Sequence, residues 1–326
     1  MRRICCFLLL FIIAGCQRES GTEPIDDGLP PSPPGRVNIY YSSDGAVGIE
    51  WNVNPEPDVV AYQISRSTNI SRLSVIDTTS NLYFIDKYLD YDSTYYYYIK
   101  AIDGSGMLSA SSAVVIAKPV NRYRPFTPNS ISISARNRLP NNEIVLSWDP
   151  GTEYDIKGYK IYRSEMERFS PDSLSYLAFT PDYIFVDSAN LELLTTYYYK
   201  LIRVDNGELE SDPSAELSDL IFDNPVNIFP PDNSRLDYFE FFRIRTVGAA
   251  ANYKLVISES EIGGEIANVD LYSSGNNEII EIPVGKYSLS PFKIYYWQVF
   301  SYSADPTVPN SYSGKSTFII ETDGSF

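Results

Sequence analysis

Residues 89–103 read LDYDSTYYYYIKAID, and they set the pattern by which the rest of the chain is interpreted. Leu89 stands six residues before Tyr95, and from Tyr95 the inward positions continue at every second residue through Tyr97 and Ile99. Such an alternation is typical of a β-strand with one buried face, whereas an amphipathic helix has a period of about 3.6. The stretch therefore predicts a strand that opens at Tyr95 after a turn containing Leu89.

The same spacing from leucine to tyrosine occurs twice more, at intervals of roughly 100 residues. Leu191 precedes Tyr197 and Leu289 precedes Tyr295, and each tyrosine again opens an alternating aromatic run. In the first two copies a tryptophan also stands eleven residues before another tyrosine, as the pairs Trp51 with Tyr62 and Trp148 with Tyr159. Equal spacing at a fixed period predicts a repeated domain.

These features resemble the fibronectin type III family, with a tryptophan on the second strand, a Tyr-x-Ile third strand and an Asp-Gly turn after the aromatic strand. The Leu/Tyr pair resembles the tyrosine corner, in which the phenol oxygen bonds backbone a few residues upstream. The resemblance covers about residues 36–326. It implies an all-β chain of three tandem immunoglobulin-like sandwiches, at residues 36–119, 120–222 and 223–326.

The third copy departs from the pattern, because phenylalanine replaces the tryptophan. The spacing to Tyr253 selects Phe242 as the equivalent residue, whereas the alternation with Phe239 selects Phe241. Both registers stay open at this point. The longer insert at residues 259–277 makes the third copy the atypical sandwich.

The amino terminus predicts a bacterial lipoprotein. Arg2 and Arg3 precede an apolar run that is shorter than the roughly 20 residues needed to span a bilayer, so residues 1–15 are interpreted as a cleaved signal peptide. The run ends at Cys16 and resembles a lipobox, which implies acylation of Cys16 and attachment to a membrane of the cell envelope, expected to be the outer membrane. Residues 16–35 are proline-rich and are predicted to form a disordered tether.

Composition excludes several classes of function. The net charge of -16 disfavours a nucleic-acid partner. The chain has no histidine, which removes Ser-His-Asp triads and imidazole metal sites, and no cofactor or metal is expected. Asp149, Glu153 and Asp155 crowd one loop, but their spacing fits no EF-hand, so turn-forming acids are favoured over a calcium site.

The aromatic strands also carry tyrosines of the opposite parity, which are predicted to face away from the cores. The candidate binding surface consists of Tyr96, Tyr98, Tyr198, Tyr296 and Tyr302. Aromatic rows on a sheet can bind sugars or proteins, although tyrosine is also an ordinary strand residue. The leading hypothesis is a non-catalytic envelope protein that serves as an interaction, adhesion or spacer module with an unknown protein or glycan partner. A carbohydrate-binding accessory lipoprotein and, less favoured, a hydrolase are the alternatives.

Overall fold

The computed structural model describes residues 27–138, 141–284 and 289–321, and every regular element in these ranges is a β-strand. The prediction of an all-β fold built from sandwiches is confirmed. Among the described residues no helix has the length and apolar character needed to cross a membrane. The predicted signal peptide and the lipidation residue Cys16 lie outside the described residues. The chain divides into two compact units between Val120 and Asn121.

The first unit contains one sandwich of two antiparallel sheets. Its strands are β1 (Asn38–Ser43), β2 (Ala46–Glu50), β3 (Val59–Ser67), β4 (Ser74–Thr79), β5 (Tyr83–Asp86), β6 (Tyr95–Asp103) and β7 (Val115–Ala117). One sheet has the order β1-β2-β5 and the other β4-β3-β6-β7. Inward side chains from both sheets form the core, where Ile49, Trp51, Tyr97 and Ile99 are buried.

The second unit begins with a sandwich of the same topology. Its strands are β8 (Ser132–Arg136), β9 (Glu143–Ser147), β10 (Ile156–Ser164), β11 (Tyr176–Thr180), β12 (Ile184–Asp187), β13 (Thr196–Asp205) and β14 (Leu217–Leu220). The sheets have the orders β12-β9-β8 and β11-β10-β13-β14. Each strand thus has the same neighbours as its counterpart in the first unit, which agrees with the repeat found in the sequence.

The third sandwich follows in the same unit and is larger on one side. Its strands are β15 (Val226–Phe229), β16 (Ser234–Leu236), β17 (Phe241–Arg245), β18 (Ala251–Ser260), β19 (Gly263–Ser273), β20 (Ile279–Pro283), β21 (Ile294–Tyr302), β22 (Ser311–Tyr312) and β23 (Ser316–Ile320). A three-stranded sheet, β15-β17-β20, faces a sheet of order β16-β23-β21-β18-β19, in which β22 also pairs with β21. The long hairpin β18–β19 extends the larger sheet and accommodates the predicted insert.

A tyrosine hydroxyl closes the turn before the aromatic strand in all three sandwiches. Tyr95 accepts a hydrogen bond from the backbone N–H of Asp90 at 3.0 Å. The equivalent bonds join Tyr197 to the N–H of Glu192 at 2.9 Å and Tyr295 to the N–H of Ser290 at 2.7 Å. These contacts have the geometry of the tyrosine corner.

The third sandwich has no tryptophan on β17, its counterpart of β2 and β9. Phe242 is buried and Phe241 is partly exposed. By backbone pairing, however, the tryptophan position belongs to neither residue. The backbone N–H groups of Trp51 and Trp148 donate to the carbonyl of the residue just before β5 and β12, respectively. In the third sandwich the N–H of Thr246 donates to the carbonyl of Glu278, just before β20, so Thr246 occupies the tryptophan position.

Trp297 of β21 places a large aromatic ring at a different point in this core. It occupies the position that Tyr97 holds in the first sandwich, and its ring lies 5.0 Å from that of Phe242. The expectation that a phenylalanine would take the tryptophan position is therefore wrong, because the loop between the second and third core strands is shorter in this copy.

A polar triad around a buried carboxylate lies at one end of the first core. Nη1 of Arg66 lies 2.8 Å and 2.9 Å from the two carboxylate oxygens of Asp86, and the hydroxyl of Tyr97 donates to Asp86 at 2.8 Å. The second sandwich repeats this arrangement with Arg163, Asp187 and Tyr199, whose contacts to Asp187 are both 2.7 Å. In the third sandwich the strand register places apolar residues at the same three positions, Ile257, Ile282 and Trp297.

The second and third sandwiches are joined by what we call the Asn310 bracket, formed by Asn310, Leu220, Phe222 and Asn137. The buried Asn310 side chain accepts the Phe222 N–H at 2.9 Å and donates to the Leu220 carbonyl at 2.7 Å. Its backbone carbonyl accepts the Asn137 N–H at 2.6 Å. One amide side chain thus satisfies backbone groups at the end of β14 and just after it.

The end of the predicted tether packs on the first sandwich. Pro31 and Pro34 are buried, and the segment is held by the loop that follows β2. The carboxylate of Glu56 accepts the Ser32 N–H at 3.0 Å, and the Asn54 carboxamide donates to the Ser32 carbonyl at 2.6 Å. The prediction of a disordered tether through Gly35 is therefore wrong for this stretch, because both backbone polar groups of Ser32 find partners in the domain.

Glu56 should make the docking of this segment dependent on pH. Hydrogen bonds from Ser32, and also from Asn54, lower the pKa of the Glu56 carboxyl from its ordinary 4.5 to about 2. A carboxyl with a depressed pKa stabilises the fold above its unfolded value, and this stabilisation is lost as the pH falls from 4.5 towards 2. We expect an NMR titration to give a midpoint near 2 for Glu56 and E56Q to loosen residues 31–35 at neutral pH. A midpoint near 4.5 would contradict this.

Candidate functional site

The outward tyrosines lie in three different surroundings. Buried and half-buried residues alternate along β6, along β21 from Tyr295 and along the first half of β13, so the five predicted tyrosines all lie on the faces away from the cores. These are Tyr96, Tyr98, Tyr198, Tyr296 and Tyr302. All five side chains are half-buried. Their neighbours decide which of these faces is open to a ligand.

On the first sandwich the outward face carries a small apolar patch. Tyr96 pairs across the sheet with the exposed Ile116. The Lys100 ammonium lies 6.0 Å from the centre of the Tyr98 ring, within the range of a weak cation–π contact.

On the second sandwich the outward face is covered by the chain itself. Phe169, from the segment between β10 and β11, packs with Tyr162 and Ile202 in a buried cluster against which Tyr198 rests. The Lys200 ammonium lies 5.1 Å from the centre of the Phe169 ring and donates to the Phe169 carbonyl at 2.6 Å. Tyr198 is therefore part of a secondary core, and the structure does not group it with an open surface.

On the third sandwich the outward face, here called the β21 face, carries aromatic residues from three neighbouring strands. Tyr302 pairs with Asn252, and Asn252 pairs on its other side with Tyr272. Phe300 lies between Lys254 and Tyr312, and its ring centre is 6.2 Å from that of Tyr312. The aromatic residues of the β21 face are Tyr272, Tyr296, Phe300, Tyr302 and Tyr312.

Polar side chains are interleaved with these rings. Lys254 pairs with Asp270 across β18 and β19, and Val256 stands between Asn268 and Gln298. The Gln298 carboxamide is oriented by a 2.7 Å hydrogen bond to the Ser313 carbonyl. The face thus offers rings, amides and a row of opposite charges on a single sheet.

Two grooves cross the β21 face. The first has a volume of about 380 Å³ and lies beside the tip of the β18–β19 hairpin, lined by Ile262, Tyr296, Gln298 and Phe300 among others. The second has a volume of about 650 Å³ and is lined by Asn252, Lys254, Asp270 and Tyr302 among others. The row of Lys254 and Phe300 separates them, so a ligand lying along β21 would contact both.

The surroundings of Tyr302 on the β21 face keep its phenol protonated. Burial raises the pKa of Tyr302 above its ordinary value, and the carboxylates of Asp270 and Glu265 raise it further. The hydroxyl of Tyr302 is therefore available as a hydrogen-bond donor at neutral pH. The Lys254 ammonium lies 4.0 Å from Glu265, which compensates part of the acidic charge.

The acidic loop of the second sandwich is occupied by internal contacts. Glu153 pairs with the buried guanidinium of Arg203, and Asp149 accepts the Gly151 N–H at 2.8 Å. Within the described ranges no group of three or more acidic, cysteine or histidine side chains is arranged to hold a metal ion. The contacts assign Asp149 and Glu153 a structural role in this loop.

Tyr272, Tyr312 and the amides of the β21 face were not predicted from the sequence. Tyr272 lies in the glycine-containing insert that forms β19, and Tyr312 lies on the two-residue strand β22. Neither segment shows the strong alternation of the main strands. Only the pairing of β18, β19, β21 and β22 brings these residues beside Phe300 and Tyr302.

Comparison with known proteins gives partial matches to two carbohydrate-active enzymes, and no family model matches the chain. Chitinase A1 of Niallia circulans is 28% identical over 149 residues, which is 44% of this chain and 20% of the chitinase. Exoglucanase B of Cellulomonas fimi is 26% identical over 201 residues, which is 59% of this chain and 17% of the exoglucanase. The chain thus spans about a fifth or less of the length of these relatives.

Two solved structures are also similar to parts of the chain. The FN1–FN3 domains of chicken CNTN1 cover 90% of this chain and 100% of that structure, with 17% identity and a TM-score of 0.39. A structure titled "Myokine structure" covers 28% of this chain and 99% of that structure, with 23% identity and a TM-score of 0.25. The assignment of fibronectin type III-like sandwiches rests on the sheet orders and tyrosine corners described above.

Proposed function

We propose that this protein is a non-catalytic accessory module that binds a polysaccharide through the β21 face. The observation that carries the proposal is the row of Tyr296, Phe300 and Tyr302 on one strand, with amide side chains on its neighbours. Aromatic rings stack on the apolar C–H faces of sugars, and amides and phenols bond to the hydroxyl groups at the sugar edges. Tyr296 and Tyr302 are six residues apart, or about 20 Å along the strand, which gives room for several sugars.

The charge of the protein favours a neutral polymer. The net charge of -16 repels acidic polysaccharides as it repels nucleic acids. The two relatives are named for chitin and glucan, and the proposal extends this association with carbohydrate to the present chain. Chitin and glucan are accordingly the first polymers to test.

We also propose that the protein is anchored in the bacterial cell envelope, in the outer membrane, by lipid on Cys16. In this arrangement the residues between Cys16 and Pro31 separate the first sandwich from the membrane. The Asn310 bracket favours an additional spacer role, since it fixes one sandwich against the next. Protease treatment of intact cells tests whether the sandwiches face outward.

Substitution of the β21 face tests carbohydrate binding. We expect the purified chain to be retained on insoluble chitin or glucan, and the double substitution F300A/Y302A to weaken retention by about tenfold, since two stacking rings are lost. The matched control is Tyr198→Ser, because Tyr198 lies on the corresponding sheet of the second sandwich but is covered by Phe169. Equal retention of the double variant and the parent would contradict the proposal, and recovery of a protein partner without glycan binding would favour an interaction module.

A further inference from the structure

The small sheet of the first sandwich presents a tyrosine ring that lies flat on a glycine. A Cβ atom added to Gly48 would stand 2.5 Å from Cζ of Tyr40 and 2.8 Å and 2.9 Å from its two Cε atoms. The two nearly equal longer distances place Gly48 under the face of the ring rather than under its edge. Only glycine permits this close approach. The opposite face of the ring points to solvent, and Tyr40 is 49% exposed.

A second aromatic ring and two polar groups share this surface, which we call the Tyr40 platform. Strand pairing places Asn38, Glu50 and Tyr83 in one row across β1, β2 and β5. Gly48 pairs with Ile85 in the adjacent row. Tyr83 is 52% exposed. Glu50 and Tyr83 lie near enough to Tyr40 to raise the pKa of its phenol, although burial is the larger cause.

The fold itself does not require this arrangement, as the second sandwich shows. There the position of Gly48 is taken by Val145, which pairs with Val186 as Gly48 pairs with Ile85. The position of Tyr83 is taken by Ile184. The same sheet therefore folds with aliphatic residues, and the flat ring with its neighbouring tyrosine is particular to the first sandwich.

We propose that the Tyr40 platform is a second carbohydrate site, which binds a neutral pyranose of a polysaccharide by stacking on Tyr40 and Tyr83. Glu50 accepts hydrogen bonds from sugar hydroxyls, and the Asn38 amide donates and accepts them. The ring is already held in its stacking orientation by Gly48, so little conformational entropy is lost on binding. The class of ligand rests on the proposed function, whereas the location in the first unit does not depend on the β21 face.

The test uses the full chain with the β21 face disabled by F300A/Y302A and soluble hexasaccharides of N-acetylglucosamine and of glucose as probes. We expect weak residual binding of one hexasaccharide by calorimetry or saturation-transfer NMR. Adding Tyr83→Ser or Tyr40→Ser should weaken that binding by about fivefold or more, because one stacking ring is lost. Tyr40→Phe keeps the ring and should retain the binding. Tyr83→Ser is expected to unfold at the same temperature as its parent, since Tyr83 is largely exposed.

Three results would overturn the inference. If the parent chain binds but F300A/Y302A shows no residual binding, the Tyr40 platform is not a binding site and the β21 face is the site. Residual binding that neither Tyr40→Ser nor Tyr83→Ser changes also shows that the platform is not the second site. If the parent chain binds neither hexasaccharide and neither insoluble polymer, both this inference and the proposed function are wrong.

Discussion

Replacement of Asn310 by leucine is expected to destabilise the second unit by about 3 kcal/mol. The substitution keeps the branched arrangement of side-chain heavy atoms but removes the acceptor of the Phe222 N–H and the donor to the Leu220 carbonyl. Each backbone group left without a partner in a buried joint costs about 1–3 kcal/mol, and leucine offers it nothing in exchange. Asn310→Asp should lose only the donor half of the bracket and cost less.

Urea unfolding combined with hydrogen exchange measures this effect. We expect a lower urea midpoint and faster exchange in strands of the second unit, with unchanged exchange in β6 of the first unit. Asn129→Leu is the matched control, since Asn129 is exposed and lies in the same unit. If Asn310→Leu and the control unfold alike, the bracket does not stabilise the joint.

The sequence predicts those features of the fold that depend on local spacing. The tyrosine corners are local, since the hydroxyl of Tyr95 reaches a backbone group only five residues earlier. The inward alternation along β6, β13 and β21 is local as well. The threonine at the tryptophan position of the third sandwich could not be predicted, because it follows from the pairing of β17 with β20, two segments that are distant in the sequence.

The candidate sites likewise combine features that local spacing predicts with features that depend on strand pairing. The parity of Tyr296 and Tyr302 could be predicted from β21 alone. Tyr272 and Tyr312 join them only through strand pairing, and the pairing of β19 rests on an insert without clear alternation. The flat orientation of Tyr40 depends on the absence of a side chain at Gly48 on the neighbouring strand, which becomes meaningful only once the register of β1 and β2 is known.

Substitution in the polar triad of the second sandwich is expected to cause the other large loss of stability. We expect Asp187→Ala to destabilise the second unit by about 3–5 kcal/mol, because it leaves the Arg163 charge and the Tyr199 hydroxyl without their shared buried acceptor. Asp182→Ala is the control, since Asp182 is exposed just before β12. Urea unfolding should show a large loss for the first variant and almost none for the second.

The third sandwich indicates how that loss can be reversed. It fills the same three positions with apolar residues and still packs a buried core, so the fold does not need the charges. The triple variant R163I/D187I/Y199F should therefore unfold within about 1 kcal/mol of the parent, since replacing a whole buried ion-pair network by apolar groups removes the desolvation cost together with the attraction. Phenylalanine is chosen over tryptophan at position 199 because Trp148 is already present in this core and a second indole would overpack it. If the triple variant is as unstable as Asp187→Ala, the triad stabilises the sandwich through its charges, and the third copy must compensate through Trp297 instead.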